Sequence, residues 1–170
     1  VKVGLQLFTR CGPDVVRGAL SAAGGLPAAV SRGGGGGVSS RAIGRTAAGL
    51  ASFGASVLRD GLSGTLQSLG LSDLQGKSAI EVIGRVADHL CHAARVEDSE
   101  ILRDALRGTI LEISQLQAEL GYEDLEAGLE RFLEEHGVIG LLEEFLVRLT
   151  FEAVWSLVEQ HVRDQSTGEN

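Results

Sequence analysis

The 170-residue sequence contains no methionine, two prolines, two cysteines and only seven aromatic residues. Each shortage narrows what the chain can be. Two cysteines, Cys11 and Cys91, cannot form a disulfide framework, and they suit a reducing compartment. With so few prolines, long stretches are free to be helical. The scarcity of aromatics means that the core is built from aliphatic layers of leucine, valine and alanine. No uncharged run approaches the apolarity of a membrane span, and no signal-peptide pattern opens the chain. These features point to a cytoplasmic protein. The opening on Val1 points to a fragment, or to the ordered part of a longer chain.

Chemical signatures are scarce too. Gly33–Gly37 is glycine-rich, but no Gly-Lys-Ser/Thr follows and no glycine triple has dinucleotide-binding spacing, so it reads as a flexible linker. His89, Cys91 and His92 cluster and raise the competing possibility of a hydrolase or metal site. Cys91 points away from the face that the histidines share, however, and no second ligand cluster exists. His136 and His161 are isolated, so no nucleophile, base and orienting group can be assembled. The residues therefore predict no catalytic activity, no metal and no cofactor. Cys91 is expected to be half-buried between surface histidines.

What is present is helical periodicity. In 138–163, Glu144, Arg148, Glu152, Ser156, Glu159 and Arg163 share about one third of the circumference at 100° per residue. Leu142, Leu146, Val147, Leu149, Phe151, Val154 and Val158 fill most of the rest. This pattern predicts a long core helix whose wet stripe is laced with opposite charges.

Upstream of it, Pro13 opens a short helix to about Ala23, and a second turn covers Pro27 to Val30. Ser39 or Ser40 caps a helix to about Arg59, rich in small residues that allow close helix approach. Its large anchors are Ile43, Leu50, Phe53, Val57 and Leu58. A shorter helix ends at Gly70, and Leu71 and Leu74 hook the following turn to the core. Ser78 and Glu81 form a capping box before a helix that buries Ile80, Val82, Ile83, Val86, Ala87 and Leu90. Asp98 or Ser99 starts a helix to Leu120, and Asp124 opens another that stops at His136-Gly137. The expected fold is all-α, a single-domain bundle of six or seven helices with the long C-terminal helix at its centre. The expected divisions are a glycine-rich arm over 1–37, the bundle over 38–165 and a polar tail over 166–170.

Charge is divided unevenly: residues 1–95 carry a net +5, and residues 96–170 a net −13. With a sequence pI near 5.0, a primary nucleic-acid binder is disfavoured. Arg41 and Arg45, one helical turn apart, are the candidate partner-binding residues. The plainer reading makes them a solvated edge.

The segment Leu69–Val82 (LGLSDLQGKSAIEV) resembles the Leu-x-Leu…Leu-x-Gly-Lys/Arg…Glu-Val/Ile segment of the QatB family. QatB is the small second component of Qat anti-phage defence systems of bacteria. The glycine run followed by Ser40-Arg41, the stretch Leu102–Glu112 and the long last helix are similar in style to the same family. The resemblance implies a largely helical, non-enzymatic protein working beside three others: an ATPase, an enzyme resembling 7-cyano-7-deazaguanine synthase, and a TatD-like nuclease. It also implies a flexible N-terminal segment handled by the synthase-like partner. The expected role is an adaptor or substrate protein docked on that enzyme. A helical interaction module, such as an antitoxin or scaffold subunit, is the alternative.

Overall fold

The computed structural model describes residues 38–96, 99–114 and 121–167. Within them the chain forms α1 (Ser40–Ser68), a 3-10 turn (Ser72–Leu74), α2 (Ala79–Ala94), α3 (Glu100–Ile113) and α4 (Tyr122–Thr167), with no strand among the described residues. The expectations for 1–37, including the two short helices and the glycine linker, lie outside this range.

Helix starts follow the predicted chemistry. The hydroxyls of Ser39, Ser78 and Ser99 accept hydrogen bonds from the amides of Ala42 (3.1 Å), Glu81 (3.3 Å) and Leu102 (3.4 Å). Each satisfies an amide that the first helical turn leaves without a partner. Helix α1 closes on Gly70, whose φ of 73° lets the Leu71 amide reach back to the Leu66 carbonyl at 2.8 Å. Leu71 and Leu74 are buried, so the turn is hooked to the core as its sequence predicts.

The count of six or seven helices is not supported: the six expected over 38–163 form four α-helices among the described residues. Two expected boundaries, at Gly61 and Gly137, are kinks within continuous elements. At each a single glycine leaves helical geometry, and the helix resumes at once. Separate helices collapse into α1 and α4 for that reason.

Helix α4 lies against both α1 and α3 in the two most extensive interfaces of the bundle. Small residues set these distances. A Cβ at Gly54 would lie 2.7 Å from Leu141 Cδ2, and one at Gly128 would lie 2.5 Å from the Ser114 carbonyl oxygen. The core joins Leu50, Phe53, Leu62 and Leu66 of α1 to Val82, Val86 and Leu90 of α2. Leu102, Leu106 and Ile110 of α3 complete it with Leu125, Leu129, Leu133, Leu141, Phe145 and Leu149 of α4.

Several side chains depart from their expected faces. Ile80 and Leu58 are exposed rather than buried. On α4, Leu146 and Val147 are exposed at 50% and 45%, whereas the side chains of Arg148 and Glu152, expected in water, are only 26% and 17% exposed. Arg148 pairs with Glu152 at 2.9 Å and lies 5.1 Å from the Phe151 ring centroid. Its guanidinium covers Gly108 of α3, where any Cβ would collide with it. The long apolar stem of arginine makes such half-burial possible, and the absence of a side chain on α3 provides the space.

Candidate functional site

Arg41 and Arg45 lie in the first two turns of α1, and both are exposed. Across from Arg45 stands Arg95, just past the end of α2. Its left-handed backbone (φ 57°) caps that helix, its amide bonding the His92 carbonyl at 2.9 Å. Between them runs an open cleft of about 410 Å³, with Ala48, Gly49 and Ser52 on α1 and Ala93 and Ala94 on α2. The floor is low because its residues are small. A Cβ at Gly49 would lie 3.6 Å from Leu90, so the helices approach closely beneath the cleft.

Arg41, Arg45 and Arg95 form no ion pair with described residues. Several other arginines are matched. Arg59 meets Asp60 at 2.7 Å, Arg85 meets Asp73 at 3.9 Å, and Arg103 and Arg107 converge on Asp88 at 3.0 and 3.2 Å. None of the described residues lining the cleft is acidic. The site is thus a cationic groove with a hydroxyl and a shallow small-residue floor. Such a surface binds anions through charge-assisted hydrogen bonds.

The sequence pointed to Arg41 and Arg45; of these Arg45 lines the cleft, and Arg95 opposite it carried no such signal. The available signal was an arginine directly after Ala93-Ala94, where a helix commonly stops on glycine.

The three residues of the competing enzyme site differ in burial. Cys91 is fully buried, not half-buried as its sequence context suggested, because it sits on the core face of α2 with Ala87 and Leu90. His92 is exposed, and His89 lies between these extremes. Among the described residues, no group of three or more His, Cys, Asp or Glu is placed to hold a metal ion. No helix there is long and apolar enough to cross a membrane.

Two perturbed groups lie away from the groove. Burial raises the Glu152 carboxyl above its ordinary value, with Arg148 pulling the other way. Burial also raises the Tyr122 phenol, which shares a 2.8 Å hydrogen bond with the Ser63 hydroxyl. Both belong to helix contacts rather than to an open site.

The family model for Qat anti-phage system associated protein QatB matches residues 33–136, more than half of the chain. The chain belongs to the QatB family. The match takes in the Leu69–Val82 segment, Arg41, the groove residues Arg45 and Arg95, and α4 as far as His136. The QatB family associates the chain with the Qat anti-phage system, whose other components are the partners to consider. No curated protein and no solved structure matches the chain.

Proposed function

We propose that this chain is a non-catalytic adaptor of bacterial anti-phage defence, acting in the cytoplasm. Its helical body docks on the 7-cyano-7-deazaguanine-synthase-like enzyme of the same operon and presents a flexible N-terminal segment to it. The ATPase and the TatD-like nuclease are the further partners. The observation that carries this reading is the QatB family match over 33–136, most of which falls on the helical bundle. Arg41 and Arg45 contribute to docking: they are exposed, adjacent and without a carboxylate partner among the described residues.

Co-purification from the native operon tests the reading, with intact-mass measurement of the protein's N-terminal peptide. A stable complex with the synthase-like enzyme, or a mass increase on that peptide, is the expected result. Recovery with itself alone, or with a toxin, and an unmodified N-terminus would overturn it.

A second reading, a helical scaffold subunit, is favoured by a separate observation. Ile139, Leu146, Val147 and Val162 are exposed on the part of α4 that follows Gly137, beyond the family match. Under that reading, their replacement by polar residues abolishes association while groove substitutions do not.

A further inference from the structure

The groove between α1 and the end of α2 has three properties that together constrain its ligand. Its cations are unneutralised by described residues, its floor is alanine and glycine, and it is open rather than enclosed. Exposed guanidinium groups on an open cleft offer little to a small, compact ligand, which gains most from enclosure. They suit a chain that lies along the surface and meets the cations in turn.

Spacing adds a second constraint. Arg41 and Arg45 are four residues apart on one helix face, an axial rise of about 6 Å. In an extended peptide, side chains at i and i+2 point to one side and are about 6.6 Å apart. Carboxylates at alternate positions of an extended segment therefore match the arginine pair nearly one to one. Arg95 stands on the opposite wall, where its charge adds to the positive potential that the segment's carboxylates meet. Ser52 offers a hydroxyl beyond Arg45, although it already donates to the Ala48 carbonyl at 3.0 Å.

We infer that the Arg45–Arg95 groove holds an extended acidic segment of a partner protein, with carboxylates at alternate positions set against Arg41 and Arg45. The inference deepens the docking reading and rests on it for the existence of a protein partner. A nucleic acid is the poorer occupant. It would run past the groove over a chain of net charge −8, whose residues 96–170 carry most of the negative charge. A short acidic segment confined between the two walls avoids that repulsion. The chain's own described acidic residues lie mainly on helices, where alternate positions do not share a face.

The test uses the full-length protein and a fluorescent peptide of alternating glutamate and serine, followed by anisotropy at low and physiological salt. Binding that weakens with salt is expected, because exposed charges are screened beyond roughly 8–10 Å near physiological ionic strength. Arg45→Glu and Arg95→Glu should each weaken it at least tenfold. Ala48→Phe, which fills the floor without changing charge, should do the same. Arg131→Glu, at an exposed arginine on α4, should leave it within twofold. Circular dichroism checks each fold, and Arg45→Gln or Arg95→Gln replaces the corresponding glutamate variant if it fails to fold.

Four outcomes would overturn the inference. One is absence of binding, and a second is equal binding of a lysine-serine peptide. Another is equal loss with Arg131→Glu, which would make the effect a general field. The last is a single-stranded oligonucleotide that binds more tightly than the peptide and is lost with the same variants. No other operon protein is used, so this result and the co-purification result can fail independently.

Discussion

Gly61 and Gly137 make the same backbone break in two different settings. Their φ/ψ values are 72°/172° and 65°/−174°, a region that is essentially closed to other residues. At Gly61 the break is stapled. The Glu126 carboxylate of α4 accepts from the Ser63 amide at 3.1 Å, doing for the resumed helix what a capping residue does at a true start. The Tyr122 phenol joins the Ser63 hydroxyl, and Thr65 donates back to the Gly61 carbonyl at 2.8 Å. Leu62, Thr65 and Leu66 follow at once into the core. At Gly137 nothing lies within 4 Å of where a Cβ would be, and Ile139, two residues on, is 73% exposed. Sequence sets where a helix can bend; partners across the bundle decide whether the bend is held.

Substitutions can break or sharpen this contrast. The largest effect is expected at Leu129→Ala, at a fully buried site on the stapled side, which should cost about 2–5 kcal/mol in chemical denaturation. Leu149→Ala should fall in the same range, because Leu149 is the last α4 residue in the core cluster. A cost near zero there would place that face in solvent. Next comes Gly61→Ala. It forces a side chain into a strained backbone beside the Glu130 carboxylate, and about 1–3 kcal/mol of destabilisation is expected. Gly137→Ala should cost less, since no neighbour prevents the joint from relaxing. Equal costs would contradict the difference between the two joints. Glu126→Ala removes the staple and should cost about 0.5–2 kcal/mol, as the loss of a helix cap does. Leu146→Ala, on the exposed face past Gly137, should stay within about 0.5 kcal/mol of wild type.

The smallest effect is a pH slope. Glu152 has a raised folded-state pKa, so the folded chain holds its proton more tightly than the unfolded chain does. Its contribution to stability is fully present below the ordinary carboxylate value and is lost as pH rises through the raised one. The urea midpoint of the wild type relative to Glu152→Gln should fall with pH across that window. In Glu152→Gln this part of the slope should be absent, and an unchanged slope would remove Glu152 as its source.

Much of the fold was legible in the sequence because its signals are local. Serine caps, the glycine stop at Gly70 and the hooks at Leu71 and Leu74 depend on residues within a turn of each other, and each stands where its chemistry predicts. What was hidden depends on a second element. The half-burial of Arg148 requires Gly108 on α3, and the capped kink at Gly61 requires Glu126 on α4. Ile80 follows the cap of α2 and continues its apolar run, yet it faces away from every neighbour that could cover it. The candidate site shows the same limit. Arg41 and Arg45 were visible as a pair one turn apart. Arg95 becomes their counterpart only when the end of α2 is brought beside α1.

Native-state hydrogen exchange, read residue by residue along the whole chain, tests the contrast between the two joints most directly. Amides that lie among buried side chains open only with the whole fold, while those in sparsely packed segments open locally at lower cost. The account predicts that amides of 62–68, beyond the stapled joint, exchange only by global unfolding. Amides of 159–163, beyond both Gly137 and Val158, the last described buried residue of α4, should exchange through smaller local openings. Equal protection of the two segments, or faster exchange at 62–68, would contradict it.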